Sequence, residues 1–161
     1  MTDLKSKEIR SEITSEGKLN LSIVTSDVPT PGDDDVLIKV EASPINPSDL
    51  GLLISFAADL DSISSQGSGE DTVTTMGIHP GLMQSMKPRI DKSMKVGNEG
   101  GGVIVDAGKN VKNLIGKTVG VAGGAMYSQY RCLPAMSCLV MNEGTTSVEA
   151  ASSFVLSLIH I

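Results

Sequence analysis

Aromatic residues are scarce in this sequence: Phe56, Phe154, Tyr127 and Tyr130 are the four among 161 residues, and tryptophan is absent. Stacking platforms for single-stranded nucleic acid are therefore missing. No lysine–arginine cluster stands out against the net charge of −6, so nucleic acid is not expected as a partner. Long apolar runs are also missing. The longest one closes the chain and falls far below the ~18–20 residues of a membrane span, and the N-terminus alternates charges without an apolar leader segment. A cytoplasmic protein without a membrane segment is expected. Histidine is limited to His79 and His160, too little material for a Ser-His-Asp or Cys-His relay. The two cysteines, Cys132 and Cys138, lack Cys-x-x-Cys spacing and are too few for a disulfide framework, so two reduced, partly buried thiols are expected. With His79 they do not form the ligand pattern of a zinc centre, and no metal site is expected.

What is present fits one globular domain. Hydrophobic residues make up 40% and charged residues 20%, and 17 glycines and 7 prolines imply many turns between short strands. Residues 1–18 are charged and weakly periodic and read as an N-terminal extension. Leu19, Leu21 and Ile23 alternate with polar neighbours, a strand over about 19–25. A stiff turn with Pro29, Pro31, Gly32 and the acids Asp33, Asp34 and Asp35 precedes a second strand over 36–42. Asn46-Pro47-Ser48-Asp49 reads as a helix start: an N-cap residue, proline at the first helical position and an acid in the first turn. From about 55 to 95 the periodicity is lost, and this stretch reads as a long loop or insertion. Four short strands then follow from Gly100 onward, covering about 103–108, 116–121, 126–132 and 138–141, which suggests a barrel or sandwich. Thr146-Ser147-Val148-Glu149 is a capping box for a closing helix.

Candidate site residues are few. Gly97-Asn98-Glu99-Gly100-Gly101-Gly102 has the glycines of a phosphate loop, but a β-branched strand follows it where a dinucleotide fingerprint needs a helix. The bland alternative is a strand entry where backbones approach closely. Glu99 beside Asn98, and the Asn46–Asp49 pair, are polar groups flanked by apolar or glycine-rich sequence. Read bare, each is a cap or turn residue as readily as a catalytic one.

The order of the pieces adds more. Asp35-Val-Leu-Ile-Lys-Val, Ser43-Pro-Ile-Asn-Pro-Ser-Asp-Leu, Val96-Gly-Asn-Glu-Gly-Gly-Gly-Val-Ile-Val-Asp-Ala-Gly, Ile115-Gly-Lys-Thr-Val-Gly-Val, Gly124-Ala-Met-Tyr-Ser-Gln-Tyr and Glu143-Gly-Thr-Thr-Ser-Val-Glu-Ala-Ala follow one another. This resembles the GroES-like N-terminal domain of the medium-chain dehydrogenase/reductase superfamily, over about 19–155 apart from 55–95. The resemblance implies a mainly β fold with short helices, a partly open barrel. The zinc alcohol dehydrogenases carry a cysteine where this chain has Asn46 or its neighbour and a histidine where it has Asn98, so the likeness is to the zinc-free quinone oxidoreductases and enoyl reductases. In that branch hydride passes from NADPH to a quinone or an activated double bond, on a small-molecule substrate and in a homodimer.

Carried over by motif, Asn46 lies by the nicotinamide as catalytic and cofactor-binding residue. Asp49 supports its loop, and Glu99 lines or braces the cleft floor, with Asn46 and Glu99 facing a shared hollow. Tyr127 and Ser128 are possible donors that a predicted strand would instead use for packing. The family's Rossmann domain has no counterpart in 161 residues, and 156–161 departs from the family's continuation, so a truncated chain, inactive alone, is expected. Two alternatives stay open: a free-standing GroES-like binding or assembly module, and a fragment of a zinc alcohol dehydrogenase-like enzyme.

Overall fold

A computed structural model describes residues 4–155. Ten strands and three short α-helices follow in order: β1 (Lys5–Ile13), β2 (Lys18–Asp27), β3 (Asp35–Ala42), α1 (Pro47–Leu53), β4 (Ala58–Gln66), β5 (Val73–Ile78), α2 (Met83–Met86), β6 (Met94–Lys95), β7 (Glu99–Ala107), β8 (Thr118–Ala122), β9 (Tyr130–Pro134), β10 (Cys138–Val140) and α3 (Ser147–Ala151). They form two five-stranded sheets, ordered β4-β5-β2-β1-β6 and β10-β8-β7-β3-β9. The expected mainly β, partly open barrel is what the chain adopts.

The sheets meet where β1 runs beside the segment leading into β9. Ile9 N–H donates to Tyr127 O at 2.9 Å, Gln129 N–H to Lys7 O at 2.9 Å, and Tyr130 N–H to Ser6 Oγ at 3.2 Å. Each sheet has its own apolar core. Val36, Ile38, Ile104, Val119, Val121 and Met126 fill one. Ile13, Leu19, Met76, Ile78 and Met86 fill the other.

The two segments without apolar periodicity are nevertheless ordered. Lys5–Ile13 is a full strand, in register with β2 from Lys5↔Asp27 to Ile13↔Leu19. Its buried side chains are Ser6 and Glu8 on one face and Ser11 and Ile13 on the other, so polar residues occupy positions where a strand pattern needs apolar ones. Residues 55–95 supply β4, β5, α2 and β6 instead of a loop. β4 is an edge strand exposed on both faces beyond its first two residues, and nothing in such a strand forces alternation.

Buried Glu8 shows how the polar face of β1 is satisfied. Its Oε1 accepts from Arg10 Nε at 2.9 Å and its Oε2 pairs with Lys95 Nζ at 3.0 Å. Burial pushes this carboxyl upward, but the hydrogen bonds and charges of Lys95 and Arg10 outweigh burial and hold it below its ordinary 4.5. A depressed carboxyl contributes stability above its unfolded value that is lost as pH falls through the folded one. Urea unfolding should therefore show wild-type stability dropping below about pH 4.5, with a smaller drop in Glu8→Gln; equal slopes in the two proteins would contradict the assignment.

Candidate functional site

Helix α1 starts as its sequence dictates. Asn46 sits at the N-cap with φ −86° and ψ 155°, Pro47 opens the helix, and Asp49 turns back so that its Oδ2 accepts from the Asn46 N–H at 2.8 Å. The other oxygen, Oδ1, accepts from the Asn98 N–H at 2.8 Å, which ties α1 to the entry of β7. Asn98 reciprocates through its side chain, Nδ2 donating to Ser48 Oγ at 2.9 Å.

Glu99, the first residue of β7, completes the cluster. Its Oε1 accepts from Asn46 Nδ2 at 2.9 Å. Its Oε2 accepts from two backbone N–H groups just past α3, Phe154 at 3.0 Å and Val155 at 2.8 Å. Asn46, Asp49 and Glu99 are thus brought together from three sequence positions. They are 2%, 1% and 0% exposed, so Asn46 and Glu99 meet as a closed pair, not across the open hollow expected of them. The direct amide–carboxylate bond is the reason: it draws the two side chains into contact.

The glycine run takes the structural alternative, with Gly97 ahead of β7 and Gly100, Gly101 and Gly102 inside it. Gly97 has φ +93°, and a Cβ there would lie 2.6 Å from the Tyr127 ring. Tyr127 and Ser128 lie ahead of β9, which begins only at Tyr130, and not in a strand over 126–132 as expected. The reason is local: Ala125 adopts φ +61° after Gly123 and Gly124, and the chain there bonds to Asn98 O and Gly97 O. Tyr127 Oη donates to Pro44 O at 2.9 Å, beneath the loop that carries Asn46. Burial, reinforced by the Asp49 charge, pushes its phenol well above the usual value, so it remains a donor at every ordinary pH. The Ser128 hydroxyl lies against the Ala125 and Tyr130 carbonyls at 2.9 and 3.1 Å.

Cys132 and Cys138 are free and half-buried. Burial pushes the Cys138 thiol up to about 11 and, with Asp35, raises Cys132, the opposite of what a nucleophile needs. Among the described residues no three His, Cys, Asp or Glu side chains gather as a metal-binding group, and no helix is long and apolar enough to cross a membrane. His160 and the expected aberrant end at 156–161 lie outside the described residues. Sequence reasoning missed the Phe154 and Val155 amides, because a backbone N–H has no residue signature.

No family model matches the chain, and no curated protein does. Solved structures do. A protein described as an NADPH:quinone reductase of Bacillus thuringiensis superposes with a TM-score of 0.64 at 19% identity, over 97% of this chain and 39% of that one. A similarly described protein of Mesorhizobium loti gives 0.61 at 22% identity, over 99% and 44%. The CurK enoyl reductase gives 0.57 at 16%, over 91% and 38%. The chain spans about two fifths of the length of these structures. It shares with the matched part of these quinone reductase and enoyl reductase structures one fold, the partly open barrel expected of a GroES-like domain.

Proposed function

We propose that this chain is the substrate-side part of an NADPH-dependent, zinc-independent oxidoreductase that transfers hydride to a quinone or an activated alkene. It would act on a small molecule in the cytoplasm, within a homodimer. The observation that supports this reading is the Asn46–Glu99 bond, built from two residues of the motifs that resemble the zinc-free reductases, in a fold shared with solved reductases. By its place in the motif Asn46 then lies by the nicotinamide, and Glu99 and Asp49 hold it.

The described residues do not fit the rest of the cofactor. Every strand pair is antiparallel and the longest α-helix has seven residues, so the strand–glycine–helix turn whose amides face a pyrophosphate is not among them. No hydride step is therefore routed through this chain by itself. What its residues can do is hold an amide in one orientation, since a donor and acceptor must meet at about 3–3.5 Å for such a transfer.

The test joins the chain to the remaining part of the Bacillus thuringiensis protein and measures NADPH oxidation with a simple quinone. The chain alone should show none, the joined protein should turn over, and Asn46→Ala in it should lower kcat on the order of tenfold or more. Turnover by the chain alone, or a folded joined protein no faster than the nucleotide-binding part by itself, would refute the proposal.

A further inference from the structure

The last turn of a helix leaves four carbonyls without partners, and α1 has no basic residue of its own there. All four are nonetheless satisfied. Leu50 O accepts from the Ile54 and Ser55 N–H groups, each at 3.0 Å. Leu53 O accepts from Ser11 Oγ at 3.2 Å. The remaining two belong to one distant side chain: Arg89 Nη1 donates to Gly51 O and Nη2 to Leu52 O, both at 2.8 Å. Nη2 also reaches Ser11 Oγ at 3.1 Å, so Arg89 and Ser11 close the helix end together. Arg89 Nε is buried with no partner. A guanidinium that leaves a donor buried and unmatched is placed by its other contacts, because that donor opposes the arrangement.

Seven residues at ~1.5 Å each make α1 about 10 Å long, so the guanidinium holds one end of a short rigid rod whose other end is Asn46. The acid end is fixed by Asp49 to β7 and the carbonyl end by Arg89 to β1. We propose that Arg89, delivered by the 80–95 stretch, is a positioning residue for the Asn46–Glu99 pair: by fixing the carbonyl end of α1 it sets where the N-cap amide meets the carboxylate. The proposal rests on the reading that Asn46 serves a reductase, and it gives the 55–95 segment a task in that site. Lysine cannot replace arginine here, since its single ammonium cannot span two successive carbonyls and a hydroxyl with a planar fork.

The test uses the 161-residue chain and reads NMR signals. Arg89→Lys keeps the charge and loses the fork. It should lower hydrogen-exchange protection of the Ile54 and Ser55 amides about tenfold and shift the Asn46 side-chain amide resonances. Leu133→Ala, a core truncation on β9 two strands away from the β7 that carries Glu99, should leave both unchanged. Unaltered Asn46 resonances in Arg89→Lys, or equal changes in Leu133→Ala, would overturn the proposal. Should Arg89→Met also fold, it must exceed Arg89→Lys in both readouts, and a smaller effect counts equally against the idea. These signals belong to the chain itself, so they decide the matter whether or not the joined protein turns over.

Discussion

Glu99→Ala should remove on the order of 4 kcal/mol of unfolding free energy, a large part of the 5–15 kcal/mol that holds a typical domain together. Three N–H donors, from Asn46, Phe154 and Val155, end on this one fully buried carboxylate. Truncation leaves all three facing a cavity. An unmatched buried donor costs about 1–3 kcal/mol, and the missing side chain adds a void. Glu99→Gln tests the same point more gently. It keeps one acceptor oxygen but sets an NH2 group against donors, and about half the loss is expected. Urea unfolding monitored by far-UV circular dichroism measures both. If Glu99→Ala cost less than about 1 kcal/mol, the carboxylate would not be the joint between α1 and the exit of α3.

That joint also explains which parts of the molecule could be read from the sequence. Both α1 and α3 are announced by residues within one turn of their starts: Asn46, Pro47 and Asp49 for the first, and Thr146 with Glu149 for the second. Capping is local chemistry, so a local pattern suffices. The strands β7, β8 and β10 were legible for a similar reason, because glycine, asparagine and proline punctuate short β-branched runs, whereas β9 starts at Tyr130 and not at Met126 as expected. β1 was hidden because Ser6, Glu8 and Ser11 are buried on its two faces and find their partners on distant elements: Tyr130 for Ser6, Lys95 for Glu8, and Leu53 and Arg89 for Ser11.

The candidate site divides along the same line. Asn46, Asp49 and Glu99 were singled out by spacing and by likeness to a family motif, and the fold does gather them. Their closure into a buried pair was not legible, since burial depends on how α1 and α3 approach β7. Arg89 lay in a stretch with no period at all. Its importance arises from carbonyls 37 and 38 residues away in sequence, which no window along the chain can reveal.

A pair of glycine-to-alanine changes separates these two kinds of information. Gly51, on an exposed turn of α1, would gain a methyl group with nothing within 4 Å. Gly51→Ala should raise stability by about 0.5–1 kcal/mol, because alanine loses less backbone freedom in a helix and the carbonyl held by Arg89 is untouched. Gly101→Ala should do the reverse. Its Cβ would stand 2.2 Å from Ser147 O and 2.8 Å from Ala151 N, main-chain atoms of α3 that cannot swing aside as a side-chain tip would. The helix must move off β7, uncovering Ala150 and Ala151 and drawing Phe154 and Val155 away from Glu99. Overpacking of this kind costs about 1–3 kcal/mol, and the strained joint places the expected loss near 3 kcal/mol. Thermal and urea unfolding of the two variants should therefore give opposite signs, with amide-exchange protection at Phe154 and Val155 lost only in Gly101→Ala. Protection retained there would mean that α3 can shift while the carboxylate keeps its grip, and the link between helix packing and the Asn46–Glu99 pair would fail.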